Sequence, residues 1–211
     1  MNCKIIGYDL KSLEVELQPS ERFFCEKGAI IYHDGGIEKN VKLLNKGIAD
    51  MLKRKLSGES IFLVELTNRS HKPQKLMIAG KMGLLPMDLK QFPRGILCRK
   101  GYYVASTFEV DIDFSLNLSS LISGTGLIMQ KISGDGTVFL DSFGSAILLD
   151  VACNDTVFVD EKSFICMDAN AQNQMTSSFS GKGLLGGEGL TMFRIQGPAK
   201  VYVNSVNTTN Y

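Results

Sequence analysis

Two short phrases recur in the same order in each third of this sequence, and that duplication constrains the fold more than any other feature. The first reads Gly58-Glu59-Ser60-Ile61-Phe62-Leu63, Gly124-Thr125-Gly126-Leu127-Ile128-Met129 and Gly187-Glu188-Gly189-Leu190-Thr191-Met192, at intervals of 66 and 63 residues. The second lies upstream of each copy: Cys25-Glu26-Lys27-Gly28-Ala29-Ile30, Cys98-Arg99-Lys100-Gly101-Tyr102-Tyr103 and Asp160-Glu161-Lys162-Ser163-Phe164-Ile165. It sets Cys25, Cys98 and Asp160 at matching places. Two phrases repeating in fixed order mark a duplicated unit, placed near 17–67, 92–141 and 152–206. A unit of about 50 residues buries too little apolar surface to stand alone. The three are therefore expected to pack together as one structural domain, 1–211, with pseudo-threefold symmetry.

The units read as antiparallel strands joined by tight turns. Lys131 to Leu140 and Arg194 to Val203 both run strand, glycine-containing turn, strand. From Thr107 to Ser119, Phe108, Val110, Ile112, Phe114, Leu116 and Leu118 alternate with polar residues, the period of a strand with one buried face. Val157-Phe158-Val159, Phe164 to Met167 and Val201-Tyr202-Val203 are shorter β-branched or aromatic runs, and 21 glycines suit many turns. One stretch differs. Val41, Leu44, Ile48, Met51, Leu52 and Leu56 fall within an arc of about 140° at helical spacing, which predicts a short amphipathic helix near 41–56.

Charge and hydropathy exclude several classes. Lys plus Arg total 23 against 22 Asp plus Glu, a net charge of +1, so whole-molecule electrostatics argue for neither nucleic acid nor anionic membrane. The longest apolar runs, such as Ala146 to Leu149, are far too short for a transmembrane helix. Met1 to Gly7 has no signal-peptide pattern, and no stretch reads as a transit peptide, which predicts a cytosolic chain. Five cysteines without a CxxC pair do not form a disulfide framework and suit small core positions in a reducing compartment.

The phrases Lys55 to Phe62, Ser133 to Leu140 and Gly183 to Leu190, with Gly80-Lys81-Met82-Gly83-Leu84-Leu85-Pro86-Met87-Asp88-Leu89, resemble the mitochondrial-biogenesis family named for altered inheritance of mitochondria. The resemblance runs from about Gly28 to Val206. Ala199 stands where that family usually has glycine, and the N-terminus resembles that of bacterial-type members, formerly labelled a domain of unknown function. The resemblance implies a mainly β fold akin to the tryptophan RNA-binding attenuation protein, a β-sandwich or short double-stranded β-helix with threefold internal duplication. It implies no catalytic residues. Association of mitochondrial relatives with inner-membrane organisation suggests a scaffold.

Chemistry-bearing candidates each meet a plainer reading. In Gly181 to Gly189, Lys182 is followed by glycine rather than by Ser or Thr, so the run reads as a turn and not as a P-loop. A cupin-like metalloenzyme needs two or three convergent histidines, and only His33 and His71 exist, both in turn-like sequence. No metal or cofactor is expected. Glu109, Asp111 and Asp113 form an acidic stripe, read as a solvated face or an oligomer contact. Lys39, Lys42, Lys46, Lys53 and Arg54 make residues 39–55 strongly basic, with Asp50 the one acid. That surface reads first as a solvated face packed on the β-core, next as a self-association or protein contact and last as a site for an anionic partner, nucleic acid or membrane, and it lacks aromatics to stack bases. The leading expectation is a non-enzymatic scaffold or binding module that self-associates and meets an unidentified protein partner. A nucleic-acid-binding protein is second and the metalloenzyme third.

Overall fold

Hydrogen-bonded strands account for most of the residues that the computed structural model describes, which are 1–8, 10–43, 62–113, 128–179 and 191–206. After β1 (Asn2–Ile6) come β2 (Ser12–Leu17), β3 (Arg22–Glu26), β4 (Ile30–His33), β5 (Ile37–Leu43), β6 (Phe62–Asn68) and β7 (Gln74–Ala79). Next are β8 (Gly83–Asp88), β9 (Ile96–Arg99), β10 (Tyr103–Ser106), β11 (Asp111–Asp113), β12 (Met129–Ser133) and β13 (Thr137–Ser142). The last are β14 (Ala146–Val151), β15 (Thr156–Asp160), β16 (Phe164–Asp168), β17 (Met175–Phe179), β18 (Thr191–Gln196) and β19 (Ala199–Asn204). Among the described residues, helix is confined to short 3-10 turns at Leu89–Gln91 and Ala169–Gln174. The protein is mainly β, in several antiparallel sheets.

One set of ladders occurs three times. In the first set β2 and β4 flank β7, while β3 and β5 flank β6. In the second, β8 and β10 flank β13, while β9 and β11 flank β12. In the third, β14 and β16 flank β19, while β15 and β17 flank β18. Even the irregularity recurs: Ile31, Val104 and Ile165 are each the extra residue of a β-bulge against β7, β13 and β19. The ladder set spans 12–79, 83–142 and 146–204, against the 17–67, 92–141 and 152–206 read from the phrases. The difference is β2, β8 and β14, which open each set and carry no repeated phrase, together with β7, which closes the first.

Successive sets share sheets. β3 pairs with β10 and β9 with β16, giving the orders β5-β6-β3-β10-β13-β8 and β11-β12-β9-β16-β19-β14. The remaining strands form β1-β2-β7-β4 and β15-β18-β17. Three buried clusters lie inside, and each borrows from its neighbour. Leu13, Val15, Leu17 and Phe23 of the first set pack with Phe139 of the second. Ile96, Ile132 and Leu140 pack with Phe24 before them and Ile165 after. Phe164 and Phe193 meet edge to face at 5.4 Å beside Leu97. The period-two pattern explains the burial on β2, whose Leu13, Val15 and Leu17 point inward while Ser12, Glu14 and Glu16 point to the half-exposed face.

Two sequence expectations change. Residues 41–43 are the end of β5, not the start of a helix, with Val41 opposite Val64 and Lys42 opposite Leu63. Pairing with β6 satisfies the backbone groups of this segment, and tertiary pairing overrides a local helical spacing. Residues 44–56, with the rest of that expected helix, lie outside the described residues, as do 114–119 and the glycine run 181–189. Phe108, expected on a buried face, is 59% exposed. The reason is a turn: the Ser106 hydroxyl donates to the Phe108 carbonyl at 2.6 Å, so the chain leaves β10 before Phe108 and re-enters a strand only at Asp111. Val110 and Ile112 keep the inward phase.

Ladder register also corrects one repeat position. Glu26, Arg99 and Asp160 stand opposite Leu63, Met129 and Met192, so Val159, not Asp160, occupies the place of Cys25 and Cys98. The turn from β15 to β16 has three residues like its counterparts, with Lys162 at the place where Gly28 and Gly101 adopt φ of +97° and +78°.

Candidate functional site

One residue from each of the two charged stripes singled out in the sequence meets the other: Lys42 and Glu109. Lys42 leaves the outer edge of the first six-stranded sheet on β5, and Glu109 lies in the segment joining β10 to β11. The Lys42 ammonium is 3.2 Å from the Glu109 carboxylate and 2.5 Å from that of Glu65 on β6. Arg22 on β3 reaches Glu65 at 3.9 Å, and Lys42 also lies 5.5 Å from the centre of the Phe24 ring. Glu65 is buried. The Lys42 hydrogen bond, together with the charges of Lys42 and Arg22, holds its carboxyl below the usual range against the opposing effect of burial. The hydrogen bond to Glu65 likewise pushes the Lys42 ammonium above its ordinary value.

The other predicted site residues are spread more widely. Lys39 is exposed on β5. Asp111 and Asp113 are exposed on β11, where Asp113 stands opposite Lys131 and Asp111 opposite Ser133. Lys46, Lys53 and Arg54 lie outside the described residues. The stripe read as an anionic-partner surface therefore has Lys42 engaged by two carboxylates of its own chain. Sequence periodicity does not reveal this pairing, because Lys42 and Glu109 are 67 residues apart and meet only through the β3–β10 junction.

Beside this cluster lies a cleft of about 470 Å³, walled by Glu21 and Arg22 entering β3, Phe108 and Glu109 leaving β10, and Asp135 in the β12–β13 turn. A second, of about 530 Å³, has corresponding walls one set later: Gln91 and Phe92 before β9, Asn170 and Gln174 after β16, and Pro198 in the β18–β19 turn. A third, of about 350 Å³, is lined by Gly35 to Glu38 after β4 and by Arg69 and Ser70 of the β6–β7 turn, all from the first set. The first two clefts are closed by strands of two sets. The third has walls from one.

The thiols and imidazoles sit apart from these clefts. Cys25, Cys98 and Cys166 are buried free thiols, with Cys98 and Cys166 directly opposite across β9 and β16. Burial pushes Cys25 and Cys98 up to about 12 and Cys166 well above its usual value, which suppresses thiolate chemistry. His33 places Nδ1 2.9 Å from the Asp34 carbonyl, and His71 is exposed in the β6–β7 turn. Among the described residues no three His, Cys, Asp or Glu side chains gather in a metal-binding arrangement, and no helix is long and apolar enough to cross a membrane.

Polar side chains at strand ends hold the connections between sets. Asp141, the last but one residue of β13, accepts the Lys81 backbone N–H at 2.7 Å. Asn204, the last residue of β19, accepts the Phe143 N–H at 2.8 Å and donates to the Tyr102 hydroxyl at 3.3 Å. Gly80 is required beside Asp141, since a Cβ there would stand 2.5 Å from the carboxylate and 2.8 Å from the Gly83 carbonyl. These residues tie β7 to β8 and β13 to β14, and the Gly80-Lys81-Met82-Gly83 phrase of the sequence is this clasp.

The whole chain is similar to known proteins. A crystal structure of a Streptococcus pyogenes protein matches it with a TM-score of 0.72 at 19% identity, covering 99% of this chain and 95% of that one. An uncharacterized protein of Streptococcus pyogenes serotype M6 is 23% identical, covering 94% of this chain and 83% of its own length. The model of the family described as mitochondrial biogenesis AIM24 matches residues 3–206, and the chain belongs to that family.

Proposed function

We propose that this protein is a non-enzymatic β-rich scaffold, built of three related strand sets in the threefold manner of the tryptophan RNA-binding attenuation protein, and that it acts through self-association. The observation that carries the reading is apolar surface on sheet edges. Ile31 and Tyr32 on β4, Ile147 and Leu148 on β14 and Phe158 on β15 are exposed, and each of these strands ends a sheet. Edge strands with bare backbone groups and apolar side chains template strand addition unless they are blunted or covered. The ion pairs of Lys42 weigh against a phosphate-binding role for that residue, because an anionic ligand would have to displace both Glu65 and Glu109.

The test is the mass of the purified chain in solution, read by light scattering or native mass spectrometry from 1 to 100 µM. A defined multimer that persists at high ionic strength is the expected result, since apolar edge contacts are little screened by salt. A monomer throughout that range overturns the reading.

A further inference from the structure

The two junctions that join successive strand sets define what a third would be. In β3–β10, Cys25 faces Ala105 and Phe24 faces Ser106. In β9–β16, Cys98 faces Cys166 and Leu97 faces Met167. Carried through the shared ladder register, the corresponding strands are β15 and β4, with Val159 opposite Tyr32 and Phe158 opposite His33. Those two strands do not pair: β15 ends the sheet β15-β18-β17, and β4 ends the sheet β1-β2-β7-β4.

Side chains at the three sets of positions differ in burial accordingly. Phe24 and Leu97 are buried, whereas Phe158 is 56% exposed. Val104 and Ile165 at the bulge are buried, whereas Ile31 is 54% exposed. Ala105 and Cys166 are buried, whereas Tyr32 is 41% exposed. Neither strand carries the usual protection of an edge. Ile30-Ile31-Tyr32-His33 has no Lys and no Pro, and β15 has one charge, Asp160, at its end. The bulge at Ile31 does not block pairing, because β10 and β16 carry the same bulge and both are paired. By contrast, the β5 edge carries Glu38, Lys39 and Lys42.

We propose that the β4 edge of one copy receives β15 of a second copy, repeating between chains the junction that the molecule builds twice within itself. This rests on the self-association reading above and names its surface. The occupant is a second copy because the two edges are the two halves of one junction, held on different sheets of the same chain. Main-chain hydrogen bonds supply the ladder, and Phe158, Ile31 and Tyr32 supply its apolar cover. The contact joins different patches, so it is head-to-tail, and it closes into a ring or extends as a filament according to the rotation per copy. Such an assembly also completes the cleft at Gly35 to Glu38, now walled from one set only.

The experiment uses the full chain with Cys153→Ser, which removes the exposed thiol. Tyr32→Cys and Val159→Cys variants carrying different affinity tags are mixed in equal amounts, oxidised mildly and run on non-reducing gels. A disulfide-linked heterodimer, absent when either is mixed with the parent, is expected. Ile31→Lys and Phe158→Lys, both at exposed positions, should weaken assembly by at least tenfold in dissociation constant while the melting temperature of the monomer is unchanged. A wild-type multimer that both lysine variants leave intact, with no mixed cross-link, overturns this surface and leaves self-association standing. A wild-type monomer at 100 µM overturns both. A Tyr32→Cys/Val159→Cys double variant that cross-links only within one chain overturns the proposal in favour of closure inside the monomer.

Discussion

Asp141 and Glu65 are both buried carboxylates on interior strands, yet their environments shift them in opposite directions. Burial pushes the Asp141 carboxyl above its ordinary value, offset only in part by the Lys81 backbone N–H and by its ammonium 3.7 Å away. The folded protein therefore takes up this proton before the unfolded chain does, and the ionised side chain lowers stability as pH rises through that window. Asp141→Asn keeps the acceptor for Lys81, as Asn204 does for Phe143, and should melt at or above wild type at pH 7, with the advantage gone near pH 4. Asp141→Ala leaves the Lys81 N–H unpaired and should cost about 1–3 kcal/mol in urea unfolding. Glu65 is held below the carboxylate range by Lys42, so its contribution is present above the unfolded value and lost as pH falls through the folded one. Lys42→Ala should therefore destabilise by about 1–2 kcal/mol at neutral pH, and the gap to wild type should close in acid. A gap that does not narrow at all as the pH is lowered below the unfolded value would show that Lys42 acts through packing alone.

At the scale of elements, the turns between strand sets are set by close approach rather than by flexibility. Gly80→Ala drives a Cβ against Asp141 and Gly83, and the expected loss is about 1–3 kcal/mol, measured as a lowered melting temperature with an unchanged far-ultraviolet spectrum. Ala at Gly35, where a Cβ meets open space, is the control and should melt within a degree or two of wild type. Strands were legible where a single face is buried, as at Val110 and Ile112 around β11, or where β-branched and aromatic residues cluster, as on β15, β16 and β19. The end of β5 was not, since Val41, Leu44 and Ile48 have helical spacing while the hydrogen bonds that set residues 41–43 come from β6. The one-residue shift at Val159 escaped the phrase comparison because Asp160-Glu161-Lys162 resembles Cys25-Glu26-Lys27 more closely in letters than in ladder register.

For the whole molecule, sheets that cross from one strand set to the next should make unfolding cooperative. Phe164 lies in the third buried cluster, and its strand β16 pairs with β9 of the second set. Phe164→Ala should cost about 3–5 kcal/mol and lower a single calorimetric transition as a unit. Hydrogen exchange should quicken on β9 and β12 as well as on β16 and β19. Two separated transitions, with only the third set destabilised, would mean that the sets unfold independently.

The amino-acid sequence by itself determined the family, the β character, the recurrence of its phrases and the inward phase of residues such as Val110 and Ile112. Those properties are local: a period of two, a turn residue and a repeated phrase are all read within a dozen positions. Tertiary structure alone decided that Lys42 is neutralised by Glu65 and Glu109, that Cys98 faces Cys166, and that β4 and β15 remain edges while β10 and β16 do not. Each of these depends on which distant strands come side by side, and that is set by packing and ladder register across the sheets, which no local pattern encodes.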